Sequence, residues 1–511
     1  MNLHTALVHL RREEDSRVLW VDALCIDQTG SIEGEEEKAH QVQKMGDIFR
    51  QAKLTWIWLG EASSSDDTVM DYLCATEHQC DASALEFQPL HSFFSRSWFR
   101  RLWILQEALL SKQPIAKCGD RETEFIRVVK LRQDLVFGNL GNSRGDVFDL
   151  CYLKHCLREW DELKNYLSVR GGWPLVYAML MMEQMECTLF ADRVFALLGL
   201  ATDSDRQCIK PDYKRTLPEV YTEVCAHIIK SPENCLAALH SMGVSDGSGL
   251  PSWARDWSEP KRVVWHFLQR PKNRDEIWSI LPKIEPQPGY EWLNELARSL
   301  PWKIESPSNG HADLARFSQD FHTMALKGIV VGTISMSKAA IEGGEWKDIC
   351  EAWRQSACKH AKAYGNPAKI CEVFGNALCQ GSYRDGQKNL LTDCAEGYQR
   401  WINGEDVVQD LTRDGESGTR SLNDFGHRTK RLCPGRAFVI LANGFLGLAP
   451  ENVLPGDVVC FFMGCTAPFV LRPRQEKGIF AFVGETYVPG IMDGEWISGA
   501  DEKGIMEFWI N

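Results

Sequence analysis

Residues 17–60 constrain this chain more than any other stretch. An apolar run, Val18-Leu19-Trp20-Val21-Asp22-Ala23-Leu24-Cys25-Ile26, is broken by one carboxylate, Asp22, and followed by Asp27 and Gln28. An acidic stretch from Glu33 to Glu37 leads into a segment where Val42, Met45, Phe49 and Ala52 recur at three- and four-residue intervals. A second apolar run, Leu54-Thr55-Trp56-Ile57-Trp58-Leu59, stops at Gly60. The pattern predicts strand, helix, strand, with residues 18–25 and 54–59 as parallel neighbours, because the connection is long enough for a crossover. Strands apolar on both faces are covered on both faces, as in an α/β sheet. An unpaired carboxylate within such a strand is costly. Asp22 therefore belongs at the carboxyl end of its strand. There it either faces the crevice where open α/β sheets bind ligands, or caps the next loop or pairs with a downstream arginine.

Bulk properties exclude several classes. The chain has 511 residues, enough for two to four domains. Its formal net charge is -13 and no basic domain stands out, which argues against sequence-independent nucleic-acid binding. No apolar run has the length of a membrane helix, and residues 1–14 lack the pattern of a secretory leader. The 18 cysteines are scattered, without Cys-x-x-Cys or zinc-type spacing, which suits buried thiols in a reducing cytoplasm and no bound metal.

Further along, Ser97 precedes a helical stripe of Trp98, Leu102, Leu105 and Leu109. Trp103 and Glu107 are four residues apart on this predicted helix and so share a face. A glutamate held beside an indole loses solvation and its pKa rises; the alternative is an ion pair with Arg100 or Arg101. Residues 114–119 read as another short strand, with 114–118 expected as a further parallel neighbour in the same sheet, 121–240 as mostly helical, and 193–200 as a buried helix. Residues 243–247 match G-x-S-x-G, but no apolar strand precedes them and no helix follows, so a nucleophile elbow is not expected. Residues 255–430 are least legible. Residues 346–364 read as an amphipathic helix with Ile349, Trp353 and Ala357 inward, and 403–431 as an open connection. Short apolar runs between 438 and 483, with Asn443-Gly444 as a hairpin signal, predict a small antiparallel β-unit over 436–496, a partly closed barrel packed on helices.

Several blocks resemble one family. Leu19 through Gln28, Gln41-Val42, Met45, Trp58-Leu59-Gly60, Trp98 through Trp103, and Gln106-Glu107 are similar in order and spacing to the fungal heterokaryon incompatibility (HET) domain. Outside that domain, Asp192 through Leu200, Pro211-Asp212-Tyr213, Leu250 through Trp257 and Gly484 through Glu495 resemble the long HET-containing proteins of filamentous fungi. HET domains usually open with a strand and a Tyr/Trp-Gly loop, which this sequence lacks, so the sheet is expected to be one strand short.

The resemblance implies an N-terminal α/β domain with a parallel, TIR-like sheet over 1–120, a helical region over 121–260, a variable and partly flexible region over 261–435, and a C-terminal β-unit over 436–511. It implies a cytoplasmic role in fungal non-self recognition and programmed cell death. Partners would be other incompatibility proteins or further copies of the chain. By analogy with Toll/interleukin receptor (TIR) enzymes, Glu107 would be catalytic, cleaving NAD as substrate, with Asp22, Asp27, Gln28 and Trp103 lining the same crevice. No other cofactor is implied. The competing reading is a non-catalytic interaction or signalling module in which Glu107 is structural; the short N-terminus favours it.

Overall fold

The structure, a computed structural model, describes residues 2–12, 14–27, 29–75, 85–137, 160, 164, 167–168, 171–230, 239, 249–258, 315–340, 343–381, 390–404, 425–463, 465, 467–492 and 505–511. The chain divides into two compact units. One is Met1–Val220 with Trp257–Pro260; the other is Tyr221–Asp256 with Lys261–Asn511. The G-x-S-x-G stretch at 243–247 lies outside the described residues.

The N-terminal unit begins with α1 (Asn2–Leu10). Residues 18–25, expected as a strand, are not one. Residues 17–21 run without strand pairing, and α2 (Asp22–Cys25) is a single helical turn. The carboxylate itself accounts for the change. Asp22 Oδ1 accepts the Ala23 N–H at 2.8 Å, and the Ile26 N–H closes on the Asp22 carbonyl at 3.0 Å. A short acidic side chain at the head of a turn offers the backbone a local partner that competes with a ladder. The apolar run is also less buried than its composition suggests, with Val18 99% and Leu24 67% exposed.

The helix that follows forms as predicted. In α3 (Ile32–Gln51), Ser31 caps the first turn by accepting the Gly34 N–H at 3.0 Å, and Val42, Met45 and Phe49 face inward. β1 (Thr55–Gly60) alternates, burying Ile57 and Leu59, while Trp58 lies 5.0 Å from His9 of α1 between ring centroids. After α4 (Ser64–Ala75), α5 (Phe87–Phe94) and α6 (Ile104–Leu109), the chain enters β2 (Pro114–Cys118), which pairs with β1 in parallel from Thr55↔Pro114 to Trp58↔Lys117. That pairing is the expected one. A tight turn at Gly119-Asp120, with Gly119 at φ +54, leads to β3 (Arg121–Glu124), antiparallel to β2. The sheet is thus β1-β2-β3, mixed, and without the 18–25 strand.

α7 (Phe125–Phe137) packs against β2 and β3, and the buried α8 (Leu175–Met181) follows in the same unit. The stretch expected as one helix over 193–200 is instead a turn, α9 (Asp192–Phe195), followed by a 3₁₀ turn at Leu198–Leu200. A Cβ on Gly199 would sit 2.3 Å from Gln106 Oε1, so any larger residue there displaces the Gln106 amide. α10 (Asp203–Cys208) follows, capped by Thr202, and the boundary between units falls inside α11 (Leu217–Lys230).

The C-terminal unit is built on one 16-residue strand. β4 (Ala315–Phe317) pairs with the start of β5 (Met324–Ala339). β5 then pairs with β8 (Val458–Phe462) and, further on, with β6 (Arg436–Leu441), which pairs with β7 (Leu446–Pro450). β9 (Phe469–Pro473) and β10 (Ile479–Glu485) continue from β8, and β11 (Met506–Ile510) pairs with both β10 and β5. The ring β5-β8-β9-β10-β11 is therefore closed. Irregularities at Val330/Gly332 and Ile334/Met336 let β5 bend from this ring to the β6-β7 pair. The antiparallel character was expected. The contribution of β4 and β5 from before residue 340, and the parallel β10–β11 pair, were not.

Helices α12 (Trp346–His360), α13 (Pro367–Leu378), α14 (Leu390–Ile402) and α15 (Phe425–Leu432) share a core with this β-unit, where Trp353 stacks on Phe438 of β6 at 6.0 Å. Ile349, Trp353 and Ala357 are buried as the periodicity predicted. α15 falls within the stretch expected as an open connection, yet Phe425 and Thr429 are fully buried. The 250–256 block also seats on the β-unit: the Ser252 hydroxyl accepts the Phe482 N–H at 2.7 Å and donates to the Asn511 carbonyl.

Candidate functional site

The helix predicted over 97–110 is broken. Ser97–Arg100 is a 3₁₀ turn, and Arg101 is drawn into a bridge with Glu186, in which the Leu102 N–H donates to the Glu186 carbonyl at 2.8 Å and the Glu186 N–H to the Arg100 carbonyl at 2.7 Å. Helix resumes only at α6. The break swings Trp98 back onto the next element, and its Nε1–H donates to Glu107 Oε2 at 3.2 Å.

Glu107 keeps part of its surface open, but its carboxyl group is crowded and its pKa is raised. Burial is the main cause, and the negative charge of Asp22 adds to it; Arg101 and the Trp98 N–H oppose it. Asp22 and Glu107 thus belong to one electrostatic neighbourhood, with Arg101 between the competing pulls. The ion pairs considered for Glu107 do not form: Arg100 reaches Glu186 at 3.3 Å, and Arg101 acts on Glu107 through charge.

Trp103 goes elsewhere. Its Nε1–H donates to Asp192 Oδ2 at 3.0 Å, while the Tyr213 hydroxyl donates to Asp192 Oδ1 at 2.8 Å. Asp192 is 6% exposed, and burial raises its pKa despite both donors and nearby Lys38. Lys38 Nζ stands 3.9 Å from the centroid of the Tyr213 ring, a cation–π contact. Beside this cluster, buried Gln106 donates through Nε2 to the Ala196 carbonyl at 2.8 Å.

Asp27 is exposed near the head of α3. Its Oδ1 accepts the Thr29 N–H at 2.8 Å, its own N–H donates to Glu37 Oε2 at 2.7 Å, and the Thr29 hydrogen bonds lower its pKa. Gln28 lies outside the described residues. The structure therefore relates Asp22 to Glu107, ties Trp103 to Asp192, and gives Asp27 local partners of its own. The sequence reading did not single out Asp192, Tyr213 or Lys38. Asp192 and Tyr213 do stand in the blocks Asp192 through Leu200 and Pro211-Asp212-Tyr213, so a carboxylate opening a buried apolar stretch was the available signal.

The family model for heterokaryon incompatibility protein (HET) matches residues 1–107, and that for the Het-6 beta-barrel domain matches residues 425–510. This is a HET domain-containing protein. It is similar to heterokaryon incompatibility protein 6, OR allele, of Neurospora crassa, at 25% identity over 98% of this chain and 84% of that protein. No solved structure matches. In this HET protein the match takes in Asp22, Asp27, Trp103 and Glu107, whereas β2, Asp192 and Tyr213 lie beyond it within the same compact unit. The HET segment therefore reaches past its own limits for its second strand and for the partner of Trp103. Among the described residues no helix is long and apolar enough to cross a membrane.

Proposed function

We propose that this protein acts in fungal heterokaryon incompatibility, and that its N-terminal unit is the effector, cleaving the N-glycosidic bond of NAD at Glu107. One observation supports the chemistry: a carboxyl group held off water against the Trp98 indole, with a second carboxylate, Asp22, acting on it. When nicotinamide leaves, positive charge develops on the ribose, and an ionised carboxylate in a poorly solvated setting stabilises that charge strongly. The pyridine leaves as a neutral base and needs no proton. Water then adds to the ribose, giving nicotinamide, ADP-ribose and one proton. Burial and Asp22 disfavour the ionised form of Glu107, while Arg101 and the Trp98 N–H favour it.

A second reading has its own support. Asp192 takes the Trp103 N–H and is itself nearly closed to solvent, which suits a module whose aromatic residues hold the fold and whose partners are other incompatibility proteins or further copies of the chain. Incubation of the purified full-length protein with NAD separates the two. Release of nicotinamide by the native protein and its loss, at least a hundredfold, in Glu107→Gln is the expected result. Equal release by both proteins, or none from either under conditions where expression is toxic, overturns the catalytic reading and leaves the module.

A further inference from the structure

The C-terminal unit carries four fully buried cysteines in one core, Cys350, Cys379, Cys394 and Cys433. Two of them are in direct contact: Cys379 Sγ and Cys394 Sγ are 3.2 Å apart. Cys379 caps the C-terminal end of α13, and Cys394 lies in α14. The two helices are held close at this point. A Cβ on Gly375 would stand 2.7 Å from the Cys394 carbonyl oxygen, so the glycine is what permits the approach. The Cys379 thiol donates to the Gly375 carbonyl at 3.3 Å, and the Asn376 amide donates to Cys394 Sγ at 3.9 Å. Asn376 is in turn fixed by the Tyr487 hydroxyl, which donates to its Oδ1 at 2.8 Å. Both sulfurs are thus positioned by ordered neighbours.

We propose that Cys379 and Cys394 are an oxidisable pair that closes to an intramolecular disulfide, stapling the end of α13 to α14. A disulfide needs its sulfurs about 2.05 Å apart, so closure asks for a sulfur displacement of roughly 1 Å. The chemistry is thiol–disulfide exchange with a small disulfide such as oxidised glutathione. One cysteine thiolate attacks a glutathione sulfur, forming a mixed disulfide and releasing one glutathione thiolate. The second cysteine thiolate attacks the protein sulfur, and the second glutathione leaves. Two protons pass from the cysteines to the two glutathiones, and both electrons leave with them. In a reducing compartment the pair stays as thiols, and its closure reports oxidation.

A second thiol contact on the neighbouring helices sets the comparison. Cys358 of α12 is exposed, interacts electrostatically with Cys371 of α13, and accepts from Arg354 Nη1 at 3.7 Å. Exposure governs how fast a thiol is reached; at equilibrium, prior placement of the partner sulfur governs which pair closes.

The test uses the full-length protein, equilibrated under native conditions in glutathione buffers from fully reduced to fully oxidised. Acid quenching, alkylation with N-ethylmaleimide in denaturant, digestion and mass spectrometry then map every cysteine. The expected result is one peptide pair linked through Cys379 and Cys394, lighter by two hydrogens, with Cys350 and Cys433 alkylated. The melting temperature rises by roughly 5 °C, as for closure of a short loop. Cys394→Ser loses both the link and the rise. Cys379 and Cys394 both alkylated at the oxidised end, linkage scrambled among the four buried cysteines, or a link found only after denaturant is added overturns the proposal. The native protein's map decides this even if the serine variant fails to fold.

Discussion

Two carboxyl groups in the N-terminal unit each accept an indole N–H and each have a pKa raised by burial, but they differ in how fully their oxygens are engaged. Asp192 is nearly closed to solvent and has a donor on each oxygen, from Trp103 at 3.0 Å and Tyr213 at 2.8 Å. Glu107 has one such donor, Trp98 at 3.2 Å, keeps part of its surface open, and stands under the charge of Asp22. A carboxylate with both oxygens engaged serves to hold its neighbours. One that is desolvated but incompletely satisfied has charge left to act on something else. Under the proposed function, this difference gives Asp192 a part in the fold and leaves Glu107 for the chemistry.

The largest effect separating them is on stability. Asp192→Ala leaves the Trp103 N–H and the Tyr213 hydroxyl without their acceptor in a buried setting. The expected loss is about 2–4 kcal/mol, read from urea unfolding of the full-length protein. A loss below the error of the measurement would place the two carboxyl groups in the same class and end the comparison.

Glu107→Gln is the counterpart, and its effect depends on pH. The folded pKa of Glu107 is raised above its ordinary 4.5, chiefly by burial. Such a group favours the fold while protonated; that contribution is complete below pH 4.5 and is lost as pH rises through the folded value. Glutamine resembles the protonated form. The variant should melt with the native protein at pH 4 and above it at pH 8, by on the order of 2–4 °C. A variant that melts lower at pH 8 would mean that the ionised carboxylate holds the fold, as Asp192 does.

The difference between these two groups was only half legible in the sequence. Glu107 beside an indole on a mostly apolar segment was visible from spacing, and so was the parallel β1–β2 pair. Which indole reaches it was not. Helical spacing assigned Trp103, but the bridge of Arg101 to Glu186 breaks the helix, and that contact joins residues too far apart in sequence for periodicity to sense. The strand expected at 18–25 failed for a local reason, since the Asp22 side chain offers the Ala23 N–H a local acceptor. In the C-terminal unit the apolar runs of β6 to β10 were plain. β5 was missed because its inward and outward residues lose strict alternation at its two irregularities, where period-two reading fails.

The finest test of the comparison turns on Asp22. Its carboxylate raises the pKa of Glu107 through charge alone, with no hydrogen bond between them. Asp22→Asn removes that charge while keeping an oxygen that can accept the Ala23 N–H, so this contact at the head of α2 is retained. With one negative neighbour gone, Glu107 ionises at lower pH. The proposed NAD cleavage uses the ionised carboxylate, so on that reading the rising acid limb of kcat against pH moves to lower pH, and the rate on its plateau changes little. The shift is small because Asp22 is exposed, and charge effects through solvent are screened. Raising the salt concentration should therefore shrink the gap between native and variant profiles, since screening already removes part of what the substitution removes. An acid limb that stays in place at low salt would mean that Asp22 does not act on the reacting carboxylate. A plateau that collapses instead would mean that Asp22 touches the substrate and belongs to the chemistry itself.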